Sequence, residues 1–121
     1  MKYNFEHKQS FLLLTIFGHY NIDEFKFIPK IVRDECEKEN INKVIVNALN
    51  VTGTDISTMD RFFFGEEVAR LLGSKIKAAL VWPQQHIDKF GETVAVNRGG
   101  ILCVLNNIES AEKWLFEEER S

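Results

Sequence analysis

The sequence predicts an α/β fold in which one five-stranded mixed β-sheet is flanked by four helices, with the element order ββαβαβαβα. Short apolar runs of strand length alternate with longer stretches whose apolar residues recur at helical spacing. Glycine, proline or helix-capping residues separate most of these segments. No linker, repeat or low-complexity stretch interrupts the pattern, so we expect a single domain over residues 1–121.

The first two strands are predicted from different apolar patterns. Tyr3, Phe5 and His7 alternate with polar residues, which indicates a half-buried strand. Residues 11–17 are apolar on both faces, as expected for a strand in the middle of a sheet. The link between the two segments is short, which favours an antiparallel pair.

The first helix is predicted to begin at Asn21 or Asp23, either of which can act as its N-cap, and to run to about residue 40. Pro29 disfavours helical geometry at the residue before it and removes one backbone donor. We therefore expect a kink or a later helix start at that point. The apolar stripe of this helix consists of Ile22, Phe25, Ile28, Val32 and Cys36.

A short third strand is predicted at residues 44–46, followed by a polar loop over residues 47–56. A second helix then extends to about Leu72, where Gly73 can end it. Asn47 to Asp60 is the most polar and irregular junction between a predicted strand and the helix that follows it.

The second half of the chain repeats the alternation. A fourth strand at residues 76–82 ends at a proline, a helix covers residues 87–98, and a fifth strand covers residues 101–105. Asn107 can cap the last helix. Strands joined through helices are expected to be parallel and linked by right-handed crossovers.

Composition excludes several classes of protein. The net charge of −3 and the scattered basic residues argue against binding to nucleic acid or to anionic membranes. The apolar run at residues 11–17 is too short to span a membrane or to act as a signal peptide, so we expect a cytoplasmic protein. Cys36 and Cys103 are expected to be reduced, and the charged residues 117–120 to form a solvated helix end.

The junction between the third strand and the second helix is the best candidate for a functional site. Sites in open α/β sheets lie where the carboxyl ends of strands meet the following helices. Thr54 and Asp55 lie in this junction, and Ser57 is the predicted N-cap with Asp60 as its capping partner. The alternative is that these residues do no more than cap the helix.

The helix after this junction places apolar residues on two sides. Phe64 and Val68 share the core side, together with the leucines that end the helix. Met59 and Phe63 fall on the opposite, polar side, and Phe62 lies near its margin. An exposed apolar patch of this kind often marks a surface that binds a partner. The alternative is that Phe63 packs beneath a neighbouring loop or helix.

Signals for catalysis or metal binding are absent from the sequence pattern. His7, His19 and His86 lie far apart and lack metal-ligand spacing. There is no P-loop, no dinucleotide fingerprint and no nucleophile elbow. Arg98 could contact a ligand, but a cation is also favourable at a helix C-terminus. We expect no enzyme activity, no metal and no cofactor.

Two groups of segments resemble a known family. Val44-Ile45-Val46-Asn47 leading into Asp55-Ile56-Ser57-Thr58 is similar to the STAS domain of anti-sigma factor antagonists and sulphate transporters. Three later segments resemble the STAS-like/SEC14-like branch of small bacterial proteins. These segments are Lys77-Ala78-Ala79-Leu80-Val81, Phe90-Gly91-Glu92-Thr93-Val94-Ala95 and Ala111-Glu112-Lys113-Trp114-Leu115.

The resemblance implies a non-enzymatic regulatory module that binds a partner protein, or itself as a homodimer, through residues 54–60 and the following helix. In phosphorylatable antagonists a serine at this helix start is modified by a partner kinase, and Ser57 is the matching position. The SEC14 side implies an alternative, in which a small apolar or lipid-like ligand lies between sheet and helices. The implied contact residues are Thr54, Asp55, Ser57, Met59, Phe62 and Phe63 for a partner, and Phe25, Phe64 and Trp82 for an apolar ligand.

Overall fold

A computed structural model describes residues 1–117 and places all five strands in one sheet. The strands lie in the order β1-β2-β3-β4-β5. The first is antiparallel to the second, and every other neighbouring pair is parallel. The predicted mixed sheet is thus confirmed. The strand bounds are β1 Lys2–His7, β2 Leu12–His19, β3 Lys43–Thr52, β4 Lys77–Val81 and β5 Ile101–Leu105.

Four helical regions flank the sheet, as the sequence predicts. The first is divided into a single turn, α1, and a longer helix, α2, which begins at Ile28 with Pro29 in its first turn. The later start expected from that proline is therefore confirmed. The bounds are α1 Ile22–Phe25, α2 Ile28–Glu39, α3 Thr58–Leu71, α4 Phe90–Asn97 and α5 Ile108–Leu115.

The third strand is longer than predicted. It extends beyond residue 46 to Thr52, so the connection to α3 shrinks to residues 53–57. Its second half pairs with the end of β2, after a register shift between Thr15 and Phe17. Asparagines disfavour strands by intrinsic propensity, but the ladder to β2 outweighs that preference here.

The helix before β5 is shorter than predicted and begins at Phe90. A 3-10 turn over Gln84–His86 precedes it. The Asp88 carboxylate accepts a hydrogen bond from the Phe90 backbone at 2.7 Å, which stabilises this later start.

Helices cover both faces of the sheet unequally. Leu12, Leu14 and Ile16 belong to a large core that also contains residues of α2, α3 and α4. The opposite face carries a smaller core that includes Phe11 and is covered by α5 through Ala111 and Leu115. The two-sided burial predicted for the second strand is confirmed for Phe11 but is wrong for Phe17, which is 39% exposed. The predicted solvated end at residues 117–120 lies almost entirely outside the described residues.

None of the helices within residues 1–117 combines the length and the apolar character that crossing a membrane requires.

Candidate functional site

The chain leaves β3 through a tight turn that packs against the end of β2. Gly53 has a φ of +72°, a left-handed conformation that favours glycine. A Cβ at this position would lie 2.6 Å from Cε1 of the His19 ring. The same ring has Nδ1 3.0 Å from the Thr52 hydroxyl oxygen. The His19 ring therefore packs against Gly53 and fixes the start of the turn.

Thr54 is turned inward and is only 4% exposed. Its hydroxyl oxygen lies 2.8 Å from Nδ1 of His86, and its carbonyl accepts a hydrogen bond from Nε1 of Trp82 at 3.3 Å. These two contacts tie the junction to the segment after β4. The prediction that Thr54 contacts a partner is therefore wrong for its side chain, which instead anchors the loop from below.

Ser57 caps α3 as predicted, since its hydroxyl oxygen accepts a hydrogen bond from the Asp60 backbone at 3.1 Å. The Asp60 side chain does not complete a reciprocal capping box. It accepts a hydrogen bond from the Tyr20 hydroxyl at 3.0 Å instead. Burial, and then the hydrogen bond to Asp60, raise the pKa of Tyr20 well above its ordinary value of 10.0. This pair joins α3 to the residue before the N-cap of α1.

The first turn of α3 is also joined to the segment before α4. Arg61 is largely buried and donates a hydrogen bond to the His86 carbonyl at 2.9 Å. Its Nε lies 4.0 Å from the Asp88 carboxylate. Together with the anchor at Thr54, these contacts give the junction a fixed base beneath its exposed residues.

Apolar side chains project from this fixed base into solvent. Met59 is 59% exposed and Phe63 is 45% exposed, one helical turn apart on the outer side of α3. Asp55 and Ser57 are exposed beside them. Phe63 is therefore not covered by a neighbouring loop or helix, and that alternative is wrong. We call Asp55, Ser57, Met59, Phe62 and Phe63 the junction surface.

Phe62 forms the margin of the junction surface. It is half-buried, with its ring centroid 5.9 Å from that of Phe63 and 6.5 Å from that of Phe90 on α4. The Arg98 guanidinium lies over the Phe62 ring at 5.3 Å, a cation–π arrangement, and 3.9 Å from the Glu66 carboxylate. Arg98 is the C-cap of α4, one residue beyond the end of the helix, and the helix packing brings it beside the junction surface.

A groove of about 700 Å³ runs beside Phe63, between α3 and the segment that contains α1 and α2. Phe27, which is 53% exposed, lines its other side. Lysine, arginine, aspartate and glutamate side chains form much of the remaining wall. The sequence analysis did not predict Phe27 as part of a binding surface. Its position away from the apolar stripe of the first helix could have indicated an exposed aromatic side chain.

The interior region implied by the SEC14 resemblance is filled by aromatic rings. Phe25 stacks on Phe64 with centroids 4.6 Å apart and lies 5.6 Å from Trp82. The cavity that remains beside these rings is about 20 Å³, which is room for about one water molecule. Sites for small ligands are usually about 300–1,000 Å³. This packing counts against an apolar ligand between sheet and helices.

The two thiols are in surroundings that disfavour the thiolate. Burial raises the pKa of Cys36 to about 11, with further contributions from Glu35 and Glu37. Burial also raises the pKa of Cys103 to about 11, followed by the charge of Glu92. Reactive cysteines require the opposite shift. Neither thiol is therefore suited to act as a nucleophile at neutral pH.

Comparison with known proteins places the fold but no function. No protein-family model matches the sequence, and no curated protein shows a significant match. A solved structure, the NMR structure of the protein TM1081, is similar to this chain with a TM-score of 0.64. The match covers 98% of this chain and 91% of that chain at 16% sequence identity. At this identity, the similarity supports a common fold alone.

Proposed function

We propose that the chain is a non-enzymatic, STAS-like interaction module that binds a partner protein, or a second copy of itself, through the junction surface. The observation that carries the proposal is the exposure of Met59 and Phe63 on a helix whose first turn is held by Ser57, Tyr20 and Arg61. A helix that is already fixed needs no ordering of its backbone on binding, and Met and Phe are enriched at protein interfaces.

The surroundings of Phe63 support a protein partner more than an apolar ligand held inside the molecule. Phe63 also lines the groove that Phe27 borders, so the apolar area continues from α3 to the α1–α2 segment. Charged side chains surround it, which resembles the polar rim around the apolar centre of an interface. The groove is open, whereas the interior cavity is small.

The position of the surface agrees with the STAS resemblance. The junction after β3 and the start of α3 correspond to the region through which STAS antagonists are expected to bind partners. Ser57 is exposed at that position, so a kinase could reach its hydroxyl. A phosphate there would add about −1.5 to −2 charges beside Met59 and Asp55. We extend the proposal to a charge-dependent interaction regulated at Ser57.

Charge substitutions at the two exposed apolar residues test the surface. We expect Met59→Glu and Phe63→Glu to remain folded, because both side chains are largely in solvent. Each should weaken association by about tenfold or more, since a carboxylate would be desolvated in the complex. Sedimentation measures self-association, and capture from native cell lysate followed by mass spectrometry measures partner binding.

Val96→Glu is the matched control. Val96 is 52% exposed on α4 and is two positions from the buried Val94, which places it on the opposite side of that helix. The control should associate as the wild type does. If Met59→Glu and Phe63→Glu also associate like the wild type, the junction surface is not the binding site and the proposal is wrong.

A further inference from the structure

Three side chains with metal-ligating atoms meet at the β1 edge of the sheet, which is the edge opposite β5. His7 ends β1, while Glu35 and Glu39 lie one turn apart near the end of α2. One ligand atom from each lies within 4.8 Å of the other two. The sequence gives no sign of this cluster, because His7 and Glu35 are separated by 28 positions and meet only through the fold.

The distances in this cluster suit a small divalent ion. Nε2 of His7 lies 2.8 Å from a Glu35 oxygen and 3.7 Å from a Glu39 oxygen. Tetrahedral ligands at about 2.0–2.1 Å from Zn²⁺ stand about 3.3 Å apart, which falls between these two values. The two carboxylate oxygens lie within 4.8 Å of each other, so rotation of the flexible glutamate side chains would place an ion among the three ligands.

The charges of the cluster are unbalanced. Among residues 1–117, neither Glu35 nor Glu39 forms a salt bridge with a lysine or an arginine, although Lys38 lies in the same helical turn. Both carboxylates converge on one imidazole, and Glu39 is the last residue of α2, where the helix dipole disfavours negative charge. A bound dication would compensate both effects.

We propose that His7, Glu35 and Glu39 bind one Zn²⁺ ion or a similar divalent transition metal. One imidazole nitrogen and two carboxylate oxygens form a ligand set suited to such ions, and the exposed side leaves a coordination position for water. The ion would join edge strand β1 to the end of α2. This inference is independent of the junction surface, which involves none of the three residues.

Calorimetric titration of chelator-treated protein with ZnCl₂ tests the site. We expect one Zn²⁺ ion per chain, no comparable binding of Mg²⁺, and affinity reduced by about tenfold or more in His7→Gln and in Glu39→Gln. The side chains of His7 and Glu39 are partly exposed, so both variants should give the wild-type circular dichroism spectrum. Zn²⁺ should also raise the Tm of the wild type more than that of either variant.

His19→Gln and Glu37→Gln serve as controls. The first removes an exposed imidazole at the end of β2, and the second removes an exposed carboxylate on α2 between the two ligands. Both should bind Zn²⁺ as the wild type does. The proposal is overturned if the wild type takes up no stoichiometric Zn²⁺, or if His7→Gln and Glu39→Gln retain full affinity; the cluster is then an ion pair only.

Discussion

The Tyr20 hydroxyl donates a hydrogen bond to the Asp60 carboxylate across 3.0 Å, joining the start of the first helical region to the first turn of α3. Two segments that are 40 positions apart in the chain thereby fix the helix that carries Met59 and Phe63. The surface proposed for binding depends on this support from beneath.

Replacing Tyr20 by phenylalanine should destabilise the protein by about 1 kcal/mol, because a hydrogen bond to a carboxylate is lost while the ring can stay in place. Urea denaturation at neutral pH measures the difference in free energy of unfolding. The fold raises the pKa of Tyr20 above its unfolded value of 10.0, so it favours the neutral phenol. That contribution is complete below about pH 10 and declines as the pH rises further.

Wild type should therefore lose more stability than Tyr20→Phe between about pH 8 and about pH 11. The comparison with the variant removes the effects of lysines and of the two thiols, which titrate in both proteins. Equal losses in the two proteins would show that Tyr20 is not held in its neutral form by the fold.

Substitution of Ser57 separates capping from charge. Ser57→Ala removes the side-chain acceptor for the Asp60 backbone N–H and should lower stability by about 1 kcal/mol. Ser57→Asp keeps an N-cap acceptor and should change stability by only a few tenths of a kcal/mol. Thermal or urea unfolding of the three proteins checks this order.

The same pair of variants is informative for binding. If charge at Ser57 regulates association, Ser57→Asp should weaken partner capture while Ser57→Ala leaves it near the wild-type level. If partner capture instead decreases in the same order as stability, so that Ser57→Ala captures less partner than Ser57→Asp, the role of Ser57 is capping alone.

The crossing of α3 and α4 depends on two glycines. A Cβ at Gly65 would collide with the carbonyl oxygen of Gly91 and lie 3.0 Å from Cβ of Val94. Gly65→Ala gains about 1 kcal/mol in helix propensity, but overpacking against backbone costs about 1–3 kcal/mol. We expect a net loss of about 1 kcal/mol, measured by urea denaturation. Glu66→Ala, which removes only a weak surface pair with Arg98, should change stability by less than about 0.5 kcal/mol.

The glycine prediction extends to the site. Because the close crossing places Phe90 and Arg98 beside Phe62, Gly65→Ala should also change the surroundings of that ring. Chemical shifts of Phe62 and Arg98 in NMR spectra report this displacement. Unchanged shifts together with unchanged stability would mean that the added methyl group is accommodated without moving the helices, and that the crossing does not require glycine at position 65.

The alternation of strands and helices could be predicted because it depends on local patterns. The stripe that contains Phe25 and Val32 is buried as expected, and so is most of the apolar run of the second strand, although Phe17 at its end is exposed. Pro29 correctly indicated a later helix start, because its effect on backbone geometry is confined to adjacent residues.

What could not be predicted depends on contacts between distant segments. Asn50 to Thr52 extend the strand by pairing with the end of β2, whereas the sequence of this stretch alone favours a loop. The burial of Thr54 results from its contacts with Trp82 and His86, which are about 30 positions away. The exposure of Phe63 was correctly predicted from helical geometry, but the nearness of Arg98 to Phe62 required the packing of α3 on α4.

The single-helix cover on one side of the sheet has a consequence for how the chain matures. Ile45 and Ala79 are fully buried beneath α5, which is the last helix of the described chain to leave the ribosome. Every strand is already synthesised by then, and each pairs with the strand that preceded it. A nascent sheet therefore exposes an apolar face until residues 108–115 emerge. During this interval the exposed face can aggregate or bind a chaperone.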